Sequence, residues 1–276
     1  MSLASAGMDF SGKLVWVTGA AQGIGARIAD DIRQLGGRVL ELDQHYQAFE
    51  LSELMAGGNC GRVELDLADP QAVQQVVESL LECRLGPDVL INAAGVLRNG
   101  NVDQLSLADW KLCFDVNVNG VFYLLQALMP WFKADVELNR QRNRNIVTLA
   151  SNAAHVPRLG MAAYCASKSA VVSLCQCVGL ELAGWNLRCN LVSPGSTDTP
   201  MLRAMVAQNP EDAEQVAAGY QQLVQGLPQQ YKLAIPLQKV ARDEEISASV
   251  LFLASPLASH ITMHDLVVDG GATLSA

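Results

Sequence analysis

An α/β fold, a doubly wound sheet of about seven parallel strands with helices on both faces, is predicted for this chain by three observations. Apolar runs such as KLVWVTG (13–19) and NIVTLAS (145–151) lack strict alternation, as strands covered on both faces do. Strand-like and helix-like segments alternate about every 25 to 30 residues, the rhythm of βαβ units. A glycine-rich turn, TGAAQGIG (18–25), joins the first strand to the first helix.

The segments follow in order. GIGARIADDIRQLG (23–36) has helical spacing of apolar residues and a glycine stop. RVLELD (38–43) reads as a strand, a polar helix candidate follows, and RVELDL (62–67) reads as a strand again. PQAVQQVVESLLE (70–82) opens with proline at a helix start and leads to the strand DVLINAAG (88–95). The apolar segment 110–132 reads as one helix, and 161–184 as another after NIVTLAS. LRCNLVS (187–193), a helix over 243–255 and DLVVDGG (265–271) complete the pattern. Residues 196–236, rich in Gln and Ala, exceed an ordinary strand-to-helix connection and read as a lid or binding insert. No proline-rich linker breaks the chain, so 8–276 reads as one domain behind a loose extension, 1–7.

Half of the 276 residues are hydrophobic and 17% are charged, enough for a large core and too apolar for disorder. A net charge of −9 excludes non-specific nucleic-acid binding, which needs cations against phosphates. The basic cluster NRQRNRN (139–145) reads as a solvated loop. Seven cysteines without a CxxC pair fit a reducing, cytoplasmic setting. The first ten residues lack the pattern of a signal peptide, and no apolar run reads as membrane-spanning, so no membrane partner is expected.

In the glycine turn, Gly19, Gly23 and Gly25 allow a tight bend, close approach of a pyrophosphate and close helix–strand packing, with Gln22 and Ile24 between them. The spacing is G-x-x-x-G-x-G. Asp43 ends the second strand, where an acid accepts hydrogen bonds from the adenosine ribose and repels an additional phosphate, so NAD is expected over NADP. Asp66 and Leu67 after the third strand, and Asn92, Ala93 and Gly95 after the fourth, fall at neighbouring carboxyl ends, where open α/β sheets bind ligands.

ASNAAHVPRLGMAAYCASKSA (150–170) holds the chemistry. Tyr164 and Lys168 lie one helical turn apart on one face. A free phenol is a poor base near neutrality, and an adjacent ammonium plus an oxidised nicotinamide would stabilise its phenolate. Tyr164 could then take a hydroxyl proton while Ser151, at the end of the preceding strand, holds the same oxygen. A histidine in such a loop is usually structural, so His155 is left out. Met161, Met201 and Met205 read either as pocket lining or as core.

TGxxxGIG, NAAG, Asn117, Ser151, YCASK (164–168) and Pro194-Gly195 occur in the order of the short-chain dehydrogenase/reductases, and the resemblance runs from residue 9 to 272. It implies a Rossmann-like fold, a homotetramer, and catalytic roles for Ser151, Tyr164 and Lys168, with Asn117 holding a proton-relaying water. Tyr164 and Lys168 would also touch the cofactor, and Pro194, Gly195, Thr197 and Thr199 would flank its nicotinamide. MDFSGK (8–13), AAGVLRNG (93–100), VSPGSTDTPM (192–201) and VVDGGATL (267–274) further resemble a branch that oxidises a small anionic cyclohexadiene diol with NAD. The resulting ketone would tautomerise to an aromatic catechol. Arg98 and Arg158 are the candidates to hold that substrate's carboxylate, and Ser151 its reacting oxygen. Other small alcohols or ketones, and a non-catalytic NAD sensor, stay open as alternatives.

Overall fold

The computed structural model describes residues 8–47, 50–138 and 144–274, so the extension 1–7 lies outside the described residues. Among the described residues, seven strands form one parallel sheet in the order β3-β2-β1-β4-β5-β6-β7. They are β1 (Leu14–Thr18), β2 (Arg38–Asp43), β3 (Cys60–Glu64), β4 (Val89–Asn92), β5 (Arg144–Leu149), β6 (Leu187–Pro194) and β7 (Asp265–Val268). The order reverses between β1 and β4, which opens a crevice above their carboxyl ends.

Alternate residues of β1, β2, β4, β5 and β6 feed two cores, as a period of two requires. Trp16, Leu40, Leu90, Ile146 and Leu191 face α3 (Pro70–Glu82), α5 (Gly120–Leu138) and α6 (Ala162–Ala183). Val15, Val17, Val39, Ile91 and Val147 face α1 (Gly23–Gln34) and a late helix, Asp243–Ala254. Side chains from the sheet also close that late helix: Asn145 donates to the Ala254 carbonyl at 2.8 Å, and Arg188 to Leu253 at 2.8 Å and Ser255 at 3.1 Å.

Four expectations change. The third strand spans Cys60–Glu64 rather than 62–67, because Cys60 and Gly61 pair with Val39 and Leu40 while Leu65 and Leu67 are buried beyond the last rung. The single helix over 110–132 is α4 (Leu107–Phe114), a π-turn over Asp115–Asn119, and α5. Of the basic cluster, residues 139–143 lie outside the described residues, but Arg144 is no solvated loop residue. It is fully buried in β5 and ion-paired with Asp135. Finally, Leu107–Asp135 and Ala162–Ala183 do have the length and apolarity of membrane spans. Leu124, Leu128 and Phe132 of the first, and Val171 and Leu182 of the second, are buried in the sheet's core, the pattern of core helices.

The insert is ordered. It holds α7 (Pro200–Val206), α8 (Ala213–Gln225) and a short 3-10 turn, Pro228–Gln230. The late helix is α9, and a short α2 (Ser52–Met55) precedes β3.

Candidate active site

Every strand from β1 to β6 ends in a residue or turn that the sequence singled out, and these ends converge on one cavity of about 1050 Å³. Gly19 (φ 67°) and Gly23 (φ 57°) take left-handed backbone that other residues adopt at a cost. A Cβ on Gly19 would lie 2.6 Å from the Ala94 Cα, and one on Gly25 would lie 2.1 Å from the Gly19 carbonyl oxygen. The turn, the NAAG loop and the start of α1 therefore interlock only without side chains. Thr18 fastens them, its hydroxyl accepting the N–H groups of Ala93 at 3.1 Å and Ala94 at 3.2 Å. The first turn of α1 carries no acid of its own, so its positive end is not neutralised within the helix. Gly25→Ala is expected to lower both the melting temperature and the affinity for a nicotinamide dinucleotide, the latter at least about tenfold, since backbone must move. An unchanged fluorescence titration with both reduced dinucleotides would contradict this packing.

Asp43 is buried at the end of β2, with Oδ2 accepting the Ala21 N–H at 3.0 Å. Its Oδ1 accepts the His45 N–H at 3.0 Å and lies 2.7 Å from the His45 ring. The carboxylate is thereby locked beside the glycine turn. Asp66 and Leu67 line the same crevice, and Asp66 Oδ1 is held by the Ala68 N–H at 2.9 Å.

Ser151 caps the short turn after β5, accepting the Ala153 N–H at 3.1 Å, and its hydroxyl meets the Tyr164 phenol. Lys168 Nζ sits 5.8 Å from the Tyr164 ring centre and donates to the Leu149 carbonyl at 2.9 Å. Burial pushes the phenol up to about 12, with the Ser151 hydrogen bond opposing it, and pushes the Lys168 ammonium down to about 8. Among the protein's own groups, then, desolvation outweighs the lysine's expected lowering of the phenol. A Cβ on Gly95 would come within 3.3 Å of both Lys168 Nζ and Asn117 Oδ1, so this glycine makes room for the lysine.

A glycine turn at a helix start, a strand-end acid and a serine–tyrosine–lysine set thus share one crevice. The family model described as enoyl-(acyl carrier protein) reductase matches residues 19–273. The chain belongs to the short-chain dehydrogenase/reductase family.

This dehydrogenase is similar to two curated relatives named 2,3-dihydro-2,3-dihydroxybenzoate dehydrogenase. The one from Escherichia coli (strain K12) is 49% identical, over 98% of this chain and 100% of its own. The one from Bacillus subtilis (strain 168) is 41% identical, over 95% and 97%. Among solved structures it resembles 3-ketoacyl-(acyl-carrier-protein) reductase from Brucella melitensis complexed with NADH. That likeness has a TM-score of 0.77 and 26% identity, over 96% of this chain and 100% of the other.

Other residues fall differently. Gln22, Ile24, Pro194, Gly195, Thr197 and Thr199 line the cavity, Thr199 also capping α7 by accepting the Leu202 N–H at 3.3 Å. Asn92 and Asn117 do not line it. Asn92 lies beneath, donating to Thr148 Oγ1 at 3.0 Å. Asn117 spends its side chain on scaffolding: Oδ1 accepts the Val96 N–H at 2.8 Å, and Nδ2 donates to the Val96 carbonyl at 2.9 Å and Ser167 Oγ at 3.0 Å. It holds the NAAG loop to the π-turn. His155 stays outside the cavity, its ring 2.8 Å from Asp265.

Arg98 and Arg158 both reach the cavity, in different condition. Arg98 is exposed and pairs with Asp109 at 3.1 Å. Arg158 is half-buried and has no ion pair among the described residues. Met161, Met201 and Met205 line the wall near it. One cation went unnoticed in the sequence: Lys232, from the insert, lines the same cavity. Its only signal was arithmetic, since Arg203, the other cation of the insert, is taken by Asp198 at 2.7 Å.

Proposed function

We propose that this dehydrogenase oxidises 2,3-dihydro-2,3-dihydroxybenzoate to 2,3-dihydroxybenzoate with NAD, as a step in catecholate siderophore synthesis. The observation that carries the reading is the 49% identity, end to end, to a relative of that name. The Ser151–Tyr164–Lys168 set in a cavity that also holds an uncompensated arginine supports it.

The residues present fit a dinucleotide. The side-chain-free turn at Gly19 and Gly25 and the amino end of α1 would take its pyrophosphate, and Asp43 a ribose. When bound, NAD supplies the acceptor for the hydride leaving the carbinol carbon. Ser151 Oγ, itself fixed by the Ala153 N–H, holds the substrate hydroxyl oxygen. Tyr164 Oη takes that hydroxyl's proton, and Lys168 stabilises the phenolate by its charge. The ring ketone then enolises, and aromatisation drives the step forward.

Asp43 argues for NAD over NADP, since the additional ribose 2′-phosphate of NADP would meet a buried carboxylate. Mixing the protein with NAD and the diene diol is expected to raise NADH absorbance with a catechol product, and NADP to serve far less well. Asp43→Ala should narrow that cofactor preference at least about tenfold. No turnover by protein that binds NADH would refute the substrate. The reading includes a cytoplasmic homotetramer. Seven free cysteines suit that compartment, and exposed Trp110, Phe122 and Leu180 on α4, α5 and α6 suit the assembly.

A further inference from the structure

We propose that Lys232, carried by the insert, and Arg158, carried by the loop after β5, together form the seat for the substrate's carboxylate. The inference rests on the reading above and names a residue that neither the sequence motifs nor that reading assigns.

Both side chains line the cavity that Tyr164 and Ser151 face. Among the described residues neither has an ion pair, whereas Arg98 is committed to Asp109 and Arg203 to Asp198. The acid whose field reaches Arg158 is Asp269, but its oxygens already accept from Asn152, Gly271 and Thr273 at 2.9 to 3.2 Å. The two cations also feel each other. Burial first, and then the Arg158 charge, push the Lys232 ammonium down to about 8, and burial lowers Arg158 as well. Two part-buried like charges, neither in an ion pair among the described residues, raise the free energy of the cavity until an anion enters it.

Lys232 is not there by the chance of a floppy loop. Its backbone forms a bridge with Leu227, the Leu227 N–H donating to the Lys232 carbonyl at 2.8 Å and the Lys232 N–H returning at 3.1 Å. Tyr231 closes that turn with left-handed backbone (φ 54°). Ile235, buried just beyond, donates to the Val224 carbonyl at 3.0 Å. The stem is fixed before any ligand arrives, which lowers the entropic cost of binding. A planar guanidinium fork together with a compact ammonium in one cavity suits a two-oxygen carboxylate. The dinucleotide's phosphates have their own place at the glycine turn.

The test is calorimetric titration of the NADH-loaded protein with 2,3-dihydroxybenzoate and with 2,3-dihydroxybenzamide, which lacks the charge. Wild type is expected to prefer the carboxylate. Lys232→Met should weaken carboxylate binding at least about tenfold while benzamide changes less than about twofold. Lys232→Arg should keep most of the preference. Arg158→Met should show the same pattern independently, which covers a methionine variant of Lys232 that fails to fold. In turnover, KM for the diene diol should rise in Lys232→Met far more than kcat falls. A wild type without preference, a Lys232→Met variant that keeps it, or NADH affinity falling in step with carboxylate affinity would each overturn the proposal. Failure of the proposed reaction reads separately: a wild type that does not oxidise the diol, yet loses its carboxylate preference in Lys232→Met, keeps the seat and discards the substrate.

Discussion

Tyr164→Phe is expected to lower kcat by about a hundred- to ten-thousandfold while leaving NADH binding within about twofold. The ring and its packing stay, and only the oxygen that meets Ser151 is lost. The pH dependence of the wild type gives the second readout. Burial pushes the phenol up to about 12 within the protein's own groups, so at neutral pH the base form is the minority. Oxidation should therefore accelerate as pH rises through the neutral and mildly alkaline range. The positive charge of an oxidised nicotinamide moves that rise to lower pH without changing its sign. The phenylalanine variant should show a flat profile at its residual rate. Residual turnover within tenfold of wild type, or a wild-type rate that does not climb with pH, would mean that the proton leaves by another route.

Lys168→Met is expected to lose turnover and gain stability. Lys168 is only 4% exposed, with one hydrogen bond among the described residues, to Leu149 O, and burial pushes its ammonium from 10.5 down to about 8. The folded state thus binds the proton less tightly than the unfolded chain. Below pH 8 the cost of burying the charge is fully present, and stability rises between about pH 8 and 10.5 as the folded lysine gives up its proton first. That shift corresponds to on the order of 3 kcal/mol. The lost hydrogen bond to Leu149 returns about 1 kcal/mol of it. Methionine has similar length and no charge, so the melting temperature near pH 7 should rise by a few degrees. The gain should shrink above pH 10. A lower melting temperature at neutral pH would show that the ammonium supports the fold.

The sheet was legible because its strands are buried on both faces and its helices carry stops and starts; Arg38–Asp43 and Pro70–Glu82 appear with the bounds the sequence predicts. Ser151, Tyr164, Lys168 and the glycine turn were legible because short backbone spacings determine their geometry. Three features were not. The π-turn depends on Asn117 reaching Val96 and Ser167, contacts between segments far apart in the chain. Arg144 reads as a solvent residue unless Asp135 is known to face it. Lys232 enters the cavity only because a bridge to Leu227 and a left-handed Tyr231 aim its stem, and neither leaves a periodic trace.

The position of β1 has a consequence in time. Leu14 finds its partner Arg38 soon after both are made, but the other edge of β1 pairs with Val89 to Asn92, which are translated only after β2, β3 and α3. During synthesis the first half of the sheet therefore waits with an apolar, hydrogen-bonding edge open in its middle. The Trp16 indole waits too, since its acceptor is the Leu85 carbonyl at 2.8 Å. The arrival of one four-residue strand then both covers that edge and completes the crevice above the carboxyl ends of β1 and β4.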